Sequence, residues 1–296
     1  MRVAIATYAG RPEQFADDDL LTALLRDHGV DADQPSWDDP RVDWDVYDLV
    51  VARSPWDYTS RLDEFLEWAD RVGERLENPP AVIRWNSDKH YLADLFAQGV
   101  DVVETVYVEP GEPAPGVDSE IVVKPAVSAG ARDSGRFGPA SADAARALIE
   151  RITARGGTAM IQPFVASVEE RGETAVVMIA GEVSHVLRKT SILRPDEVAP
   201  VRTNDPLGIA EVMYDPELVV PGAASAEELR QAARVRGAVR DRFGAVPLVM
   251  RVDMLGGADG GPVLLELEAI EPNLYFDQVP EGAERLAEAI VSRASG

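Results

Sequence analysis

The first 76 residues alternate short apolar segments with amphipathic ones, and this alternation constrains the fold more than any other feature. Segments 3–7 and 48–53 have the apolar character of buried strands. Segment 17–28 and the segment after Ser60 carry apolar residues at helical spacing. Ser60 and Asp63 stand at the spacing of a capping box. A strand–helix–strand–helix order predicts a parallel sheet with helices on its faces.

A different pattern follows the sequence Asn78-Pro79-Pro80, where we expect the first domain boundary. A second capped helix is predicted over 87–98, and Gly99 would end it. Beyond it the predicted elements are mostly short strands, at Ile121–Pro125, Ala159–Pro163, 174–180 and Glu182–Lys189. Near the end, apolar strands over 248–255 and 263–270 flank a glycine-rich turn, as in a hairpin. The sequence therefore predicts an α/β N-terminal domain followed by α+β lobes.

Composition excludes several classes of function. The chain has no cysteine and three well-separated histidines, so a bound metal would need oxygen ligands, as Mg²⁺ does. The net charge of −23 argues against nucleic acid or an anionic membrane as a partner. The N-terminal apolar segment is too short for a signal peptide, and no apolar run is long enough to cross a bilayer. We therefore expect a cytoplasmic protein, and the sequence leaves open whether it forms a homodimer.

Acidic residues converge on the predicted last hairpin. Arg251 and Asp253 share one face of the first strand, because side chains alternate along a strand. Glu268 lies on the returning strand, and Glu271 and Asn273 follow where that strand ends. Carboxylates so close together repel one another unless a cation lies among them. The pattern favours a magnesium site, with the solvated face of an edge hairpin as the alternative.

Two further segments suit a nucleotide. Lys124 ends an apolar strand and precedes a loop of small residues, which can present backbone amides and one point charge to a polyphosphate. Neither a Walker A sequence nor a GxGxxG fingerprint occurs in the chain. Gln162 and Phe164 end another apolar strand, and Glu173 follows. That segment is either a core strand or a purine slot with an acid placed on the ribose hydroxyls.

The order of these motifs resembles the ATP-grasp superfamily, which includes D-alanine–D-alanine ligase and the bacterial glutathione synthetases. The motifs are Asp88-Lys89, Lys124 with its loop, Gln162-Pro163-Phe164, Gly172-Glu173, Arg251-x-Asp253 and Glu268…Glu271-x-Asn273. The resemblance implies an ATP-grasp fold, in which two lobes clasp ATP behind an N-terminal α/β domain. The expected divisions are an N-terminal domain over 1–84, a central lobe with the lid and phosphate loop over 85–163, and a C-terminal lobe with the metal site over 164–296.

The resemblance also implies roles for individual residues. Lys89 and Lys124 would hold the α- and β-phosphates, Lys189 would face the triphosphate, and the loop over 128–134, with Ser128, Ala129 and Gly130, would close over the γ-phosphate. Gln162 and the backbone near Phe164 would bind adenine, and Glu173 the ribose. Arg251 would stabilise the charge that develops during catalysis. Two Mg²⁺ would be bound by Asp253, Glu268 and either Glu271 or Asn273. The choice between the last two stays open, because this chain lacks the usual Glu-x-Asn spacing after Glu268.

Other motifs resemble the branch that contains the D-cycloserine-forming O-ureido-D-serine cyclo-ligase. They are Arg53-Ser54-Pro55-Trp56-Asp57-Tyr58, Trp85-Asn86-Ser87-Asp88-Lys89, the segment over 124–132 and the segment over 265–272. Substrate would then meet Arg53, Trp56, Asp57 and Tyr58 at the end of an α/β strand, together with His185 and Arg188. For Trp56 and Tyr58, packing between domains is the alternative.

The implied activity is an ATP-dependent ligation. The enzyme would convert a small amino-acid-like carboxylate into an acyl phosphate, which a nitrogen nucleophile attacks to form an amide or close a ring. Two alternatives stay open: a nucleotide-binding regulatory module without turnover, and a phosphotransferase without ligation. Retention of Arg251, Asp253, Glu268 and Glu271 counts against the regulatory module.

Overall fold

A computed structural model describes residues 1–10, 17–201, 207–215 and 217–295. Its strands are β1 (Arg2–Thr7), β2 (Asp31–Asp33), β3 (Leu49–Ser54), β4 (Leu76–Glu77), β5 (Val106–Val108), β6 (Ile121–Pro125), β7 (Gly135–Phe137), β8 (Ala159–Pro163), β9 (Glu173–Ile179), β10 (Glu182–Lys189), β11 (Glu197–Val198), β12 (Val219–Pro221), β13 (Val249–Gly256) and β14 (Pro262–Glu268). Its α-helices are α1 (Asp17–Asp27), α2 (Leu62–Val72), α3 (Pro80–Asn86), α4 (Tyr91–Ala97), α5 (Ala142–Thr153), α6 (Ser167–Arg171), α7 (Ala226–Phe243) and α8 (Glu281–Ala294).

The strands form three sheets. The first is parallel, with the order β2-β1-β3-β4. The second has the order β12-β10-β9-β13-β14, and the third has the order β11-β7-β6-β8-β5; both are antiparallel. A parallel α/β unit followed by antiparallel sheets is the architecture that the sequence predicted. The domain boundaries at 84/85 and 163/164 stay predictions.

Helices α3 and α4 differ from the prediction. Pro80 begins α3 instead of breaking the structure, because proline at the first helical position loses no hydrogen bond there. The predicted cap Ser87 instead donates its hydroxyl to the carbonyl of Arg84, and α4 starts only at Tyr91. Both helices pack on the second sheet through a shared core that includes Val82 and Leu95.

The predicted cap at Ser60 is also wrong. Its hydroxyl donates to the carbonyl of Asp57 at 2.7 Å, within a short 3-10 turn over Tyr58–Ser60. Helix α2 begins after Arg61 without a side-chain cap. Leu76, predicted as part of this helix, lies in β4. The length of α2 is therefore set by the burial of its apolar face, with Phe65 and Trp68 fully buried, and not by its cap.

Several predicted strands have the expected bounds, including Ile121–Pro125, Ala159–Pro163 and Glu182–Lys189. The last hairpin is formed by β13 and β14, in antiparallel register with Arg251 opposite Glu268 and Asp253 opposite Glu266. Among the described residues, no helix has both the length and the apolar character needed to cross a membrane.

Candidate active site

A cavity of about 290 Å³ lies where the three sheets meet. Most of the residues that sequence analysis proposed for the site contribute to its lining: Trp56, Tyr58, Lys89, Lys124, Ser128, Ala129, Gly130, Gln162, Phe164, Glu173, Lys189, Arg251, Asp253, Glu268, Glu271 and Asn273. They come from every part of the chain, so only the tertiary fold brings them together.

Arg251 lies at the centre of a buried charge network. Its guanidinium donates to both carboxylate oxygens of Asp253, at 2.9 Å from Nε and 2.8 Å from Nη2. Nη2 also pairs with Glu268, and Nη1 donates to the carbonyl of Asn273 at 2.9 Å. Burial raises the pKa of Asp253, but the charges of Arg251 and Lys189 outweigh it and hold this pKa well below its usual range. Asp253 is therefore a carboxylate at any working pH.

Lys189 is bound between two carboxylates. Its ammonium donates to Asp253 Oδ2 at 2.7 Å and pairs with Glu173. Burial and the charge of Arg251 lower the pKa of Lys189. The charges of Asp253 and Glu173 have the larger effect, so the pKa lies above its usual value. Burial raises the pKa of Glu173 to about 7, against the opposing charge of Lys189. Lys189 is thus a fixed positive charge on the β10 wall of the cavity.

The other two lysines have different surroundings. The ammonium of Lys89 donates to the carbonyl of Ser128 at 2.8 Å and lies 3.2 Å from Glu266 Oε1. That of Lys124 has no hydrogen bond or ion pair with any described residue. Burial lowers the pKa of Lys124, although the charge of Glu266 opposes this effect. The cavity therefore holds one ammonium group that makes no direct contact with a described carboxylate, although the charge of Glu266 acts on it.

The small-residue loop over 128–134 forms one wall of the cavity. It turns through left-handed backbone at Gly130, Ala131 and Asp133, with φ values of 61°, 55° and 52°. A Cβ on Gly130 would lie 2.9 Å from the side chain of Ile209, so only glycine allows the approach of the 207–210 segment. The carbonyl of Gly130 accepts from the backbone amide of Ala210 at 2.9 Å.

Arg132 connects this loop to the N-terminal domain. It donates to the hydroxyl of Thr59 at 2.9 Å and to the carbonyl of Leu207 at 3.4 Å. The loop, the N-terminal domain and the segment after β11 therefore meet at one side chain, and they close this end of the cavity.

Gln162 and Phe164 lie at the opposite end, on and just after β8. The Gln162 amide donates to Thr105 at 3.0 Å, and the backbone amide of Phe164 donates to the carbonyl of Glu120 at 2.9 Å. The guanidinium of Arg136 lies 3.4 Å from the centre of the Phe164 ring. These contacts make a flat, fixed wall beside the strand.

Glu271 is the carboxyl group with the most strongly raised pKa in the cavity. Burial raises it first, the charge of Glu268 adds to this effect, and the pKa reaches about 8 although Arg251 opposes it. The neighbouring Asn273 carboxamide oxygen accepts from the backbone amide of Tyr275 at 3.1 Å. Glu271 is therefore largely protonated at neutral pH in the absence of a cation.

Four residues that sequence analysis proposed for the substrate lie outside the cavity lining. Arg53 is 2% exposed and donates to the carbonyl of Pro272 at 2.9 Å, so it supports the loop after β14. Asp57 accepts from the indole of Trp37 at 2.8 Å. His185 contacts the carbonyl of Leu274 at 2.9 Å, beneath α8.

Arg188 is on the opposite face of β10 from Lys189. It donates to Thr174 and, at 3.1 Å, to the carbonyl of Ala223. Alternation along the strand explains this placement, because consecutive side chains point to opposite faces of a sheet.

Sequence reasoning also missed some of the lining. The sequence pattern places Glu266 on the same face of β14 as Glu268 but gives it no role, and the structure pairs it with Lys89. Tyr275 lines the cavity from a left-handed backbone position with φ of 53°. The apolar segments around Ile192 and Ile209 join the lining through long-range contacts that leave no local pattern.

Among the described residues, no three acidic or histidine side chains already form a metal-binding group. The reason is visible in the ion pairs: Arg251 and Lys189 occupy the carboxylate of Asp253, and Arg251 also occupies that of Glu268. The carboxylates of Asp253 and Glu268 are therefore neutralised by basic side chains.

Comparison with known proteins identifies the family. Residues 3–78 match the family described as D-cycloserine synthetase DcsG, N-terminal domain. The chain is 35% identical over 286 residues to the cycloserine biosynthesis protein DcsG of Streptomyces lavendulae, covering 92% of each protein. The crystal structure of D-cycloserine synthetase DcsG superposes with a TM-score of 0.88 at 33% identity, covering 99% of this chain and 100% of that one.

A more distant structure shares the fold alone. D-alanine–D-alanine ligase from Bacillus anthracis, in complex with ATP, has a TM-score of 0.65 at 11% identity and covers 100% of this chain and 97% of its own. Sequence identity and coverage with DcsG are high enough to decide the family, and the chain belongs to the DcsG family of ATP-grasp ligases.

Proposed function

We propose that this enzyme uses ATP to phosphorylate the carboxylate of a small amino-acid-like substrate, and that a nitrogen of the same molecule then closes a ring. The observation that carries the proposal is the composition of the cavity. It holds four cations, the buried Lys89 and Arg251 and the partly buried Lys124 and Lys189, facing carboxylates from two adjacent strands. Phosphoryl transfer depends mainly on such alignment and neutralisation of charge.

Lys124 is the group best suited to a phosphate. An ammonium buried without a partner is unfavourable, and a phosphate oxygen would supply the missing charge and hydrogen bond. Lys89 lies close by, since the two ammonium groups share Glu266 as their acidic neighbour. Gln162, the backbone near Phe164 and Glu173 would hold the adenosine, and the loop over 128–134 would cover the phosphates.

The carboxylates fit Mg²⁺ that arrives with the nucleotide. Magnesium in such sites is usually held by one or two protein carboxylates together with phosphate oxygens, so a preformed protein cage is not required. Asp253, Glu268, Glu271 and Asn273 supply the oxygen donors, and the raised pKa of Glu271 marks an acid that lacks a sufficient positive neighbour. When bound, the metal would neutralise charge on the transferred phosphoryl group.

Arg251 would act on the substrate carboxylate. Its guanidinium is held by Asp253, Glu268 and the Asn273 carbonyl, so its position is fixed before any charge develops. A preorganised cation at that place stabilises the charge on the acyl phosphate and on the tetrahedral centre formed by nucleophilic attack. The contacts of Arg132 close the cavity, which protects an acyl phosphate from water.

The descriptions of the related proteins favour ring closure over ligation to a second molecule. The proteins that match along nearly the whole chain are described as D-cycloserine synthetase or cycloserine biosynthesis protein, and D-cycloserine is a cyclic amide. Trp56 and Tyr58 form the N-terminal wall near the loop end of the cavity, where we place the amino-acid part of the substrate.

The test is incubation of the purified enzyme with ATP, Mg²⁺ and O-ureido-D-serine. We expect D-cycloserine with one ADP and one phosphate per product, and with the carbamoyl group of the ring nitrogen released by hydrolysis as carbon dioxide and ammonia; hydroxylamine should trap the activated carboxylate as a hydroxamate. A stable phosphorylated product without phosphate release would instead identify a phosphotransferase. Nucleotide binding without turnover, across a panel of amino-acid-like carboxylates, would refute the proposal in favour of a regulatory module.

A further inference from the structure

Strand β14 carries Glu266 and Glu268 at the edge of the second sheet. It pairs with β13 on one side, and within the described part of the chain the sheet order places no further strand on its other side. That outer edge forms one isolated bridge, in which Leu264 donates to the carbonyl of Asp101 at 2.8 Å and accepts from the amide of Val103 at 2.9 Å. An edge strand normally leaves further backbone N–H and C=O groups without partners. Beyond the bridge, side chains from the segment around α3 and α4 bind the backbone groups of Leu267 and Ala269.

Two side chains bind the edge on both sides of Glu268. The hydroxyl of Tyr91 accepts from the backbone amide of Leu267 at 2.9 Å. The carboxamide of Asn86 accepts from the backbone amide of Ala269 at 2.6 Å and donates to the carbonyl of Leu267 at 2.8 Å. We call Asn86 and Tyr91 the edge clamp.

The alternation of a strand gives the edge clamp its significance. The backbone groups of residues 267 and 269 face outward to the edge clamp, whereas the side chains of Glu266 and Glu268 line the cavity. A shift of the strand by one residue would turn every side chain to the opposite face of the sheet. Both carboxylates would then leave the cavity. The edge clamp bonds in the way a neighbouring strand would, so it reinforces the register that β13 and the bridge at Leu264 give to β14, at the end of the strand that carries the two carboxylates.

Both members of the edge clamp are held firmly. Asn86 and Tyr91 are 7% and 2% exposed. Tyr91 packs against Trp85 with ring centres 5.3 Å apart, and the Trp85 indole donates to Asp94 at 2.8 Å. Lys89 lies between the two in the chain, so the segment that clamps the strand also carries one of the lysines that face its carboxylates.

We infer that Asn86 and Tyr91 are positioning residues, which hold Glu268 in register for the divalent cation of the nucleotide complex and Glu266 in register for Lys89. This inference rests on the proposed function. Residues that orient metal ligands from behind typically affect metal affinity about 10- to 100-fold when they are mutated. We expect an effect of that size on metal affinity from the edge clamp, although it holds the backbone of β14 and not the carboxylates themselves.

The test compares Asn86→Leu and Tyr91→Phe with a matched control. Asn86→Leu removes both carboxamide bonds at similar volume, and Tyr91→Phe removes only the hydroxyl. The control is Gln34→Leu, because Gln34 is a partly buried amide in the N-terminal domain that donates to the carbonyl of Asp18 at 3.1 Å and to the hydroxyl of Thr22 at 2.9 Å, away from β14. All variants are measured as ligand-free protein and with Mn²⁺ and ADP.

Two readouts are needed. In ligand-free protein, hydrogen exchange at the Ala269 amide should accelerate at least roughly tenfold in Asn86→Leu, and at the Leu267 amide in Tyr91→Phe, with β9 amides unchanged. Calorimetry should show Mn²⁺ binding to the ADP complex weakened about tenfold or more in Asn86→Leu, and unchanged in Gln34→Leu.

Wild-type Mn²⁺ affinity in both clamp variants, with faster exchange, would overturn the inference and leave the edge clamp a stabilising contact only. Unchanged exchange would overturn it as well. If the wild-type protein itself failed to bind Mn²⁺ with ADP, the proposed function would fall, and the metal-positioning role with it. The exchange rates would still decide whether the edge clamp holds the strand.

Discussion

Lys124 and Lys189 face the same cavity, but their substitution should have opposite consequences for stability. In Lys124→Met, a partly buried ammonium that makes no direct ion pair with a described residue is replaced by an apolar side chain of similar length. Glu266 keeps Lys89 as its partner at 3.2 Å. The free energy of unfolding should therefore stay within about 1 kcal/mol of wild type or rise, because an unpaired buried charge costs stability.

Lys189→Met removes the ammonium that lies 2.7 Å from Asp253 and also pairs with Glu173. Breaking a buried ion pair by removing one partner typically costs about 3–5 kcal/mol. Arg251 remains beside Asp253, so we expect a loss of about 3 kcal/mol, near the lower end of that range. Urea denaturation of the ligand-free proteins measures both effects.

The affinity for ATP should respond strongly in Lys124→Met. A hydrogen bond to a charged group is worth about 1.5–3 kcal/mol. Since about 1.4 kcal/mol corresponds to a factor of ten, the dissociation constant for Mg²⁺·ATP should rise roughly 10- to 150-fold. Calorimetric titration measures it. The reasoning is refuted if Lys124→Met binds Mg²⁺·ATP like wild type, or if it destabilises the fold as much as Lys189→Met.

Three further predictions follow from the site. Arg53→Leu should lower the free energy of unfolding by about 3 kcal/mol in urea denaturation, because it removes the ion-pair partner of the buried Asp18 carboxylate, which keeps its hydrogen bond from Ser54; the exposed Arg41→Ala should change little, and equal effects would contradict this. The pKa of Glu271 rises from 4.5 to about 8 on folding, so the folded state binds more protons, and the stability of the ligand-free protein should fall as pH rises between these values. Glu271→Gln should flatten that slope in urea denaturation at several pH values, and an unchanged slope would contradict the assignment. ATP should bind at least roughly tenfold more weakly in EDTA than in Mg²⁺, because the acids repel the triphosphate; equal affinities by calorimetry would exclude Asp253 and Glu268 as metal ligands.

Local sequence patterns predicted the parts of the fold that local physics controls. Alternation along β13 and β14 placed Asp253 and Glu268 on cavity-facing positions, and the structure brings both to the cavity with Arg251. Lys124 at the end of β6 is there for the same reason. Period-two alternation is a property of the extended chain, so it requires no knowledge of tertiary contacts.

The failures share a physical cause in long-range packing. The position of Arg53 at the end of β3 suggested substrate contact, but a carbonyl from Pro272, which is 219 residues away, takes its guanidinium. His185 is likewise drawn to a carbonyl on the loop after β14. Helix α3 was not predicted, because only its packing on the second sheet shows that a helix begins at Pro80.

Asn86 is a residue whose structural role the sequence did not reveal, again because that role depends on long-range packing. Its sequence motif indicated a helix start near a lysine, and the value of its carboxamide appears only when β14 lies beside it. Side chains that complete a sheet edge satisfy backbone groups far away in sequence, so neither periodicity nor capping rules can identify them.

The central claim is that the substrate carboxylate is activated as an acyl phosphate, and oxygen transfer tests it most directly. O-ureido-D-serine labelled with ¹⁸O at both carboxylate oxygens is incubated with the enzyme, Mg²⁺ and unlabelled ATP, and the released phosphate is analysed by mass spectrometry. A carboxylate oxygen first attacks the γ-phosphorus, and the nitrogen then attacks the acyl carbon and displaces phosphate. This sequence carries one ¹⁸O into each phosphate and leaves one in the cyclic amide. Unlabelled phosphate alongside cyclic product would contradict the account, because the carboxylate would then have reacted without being phosphorylated.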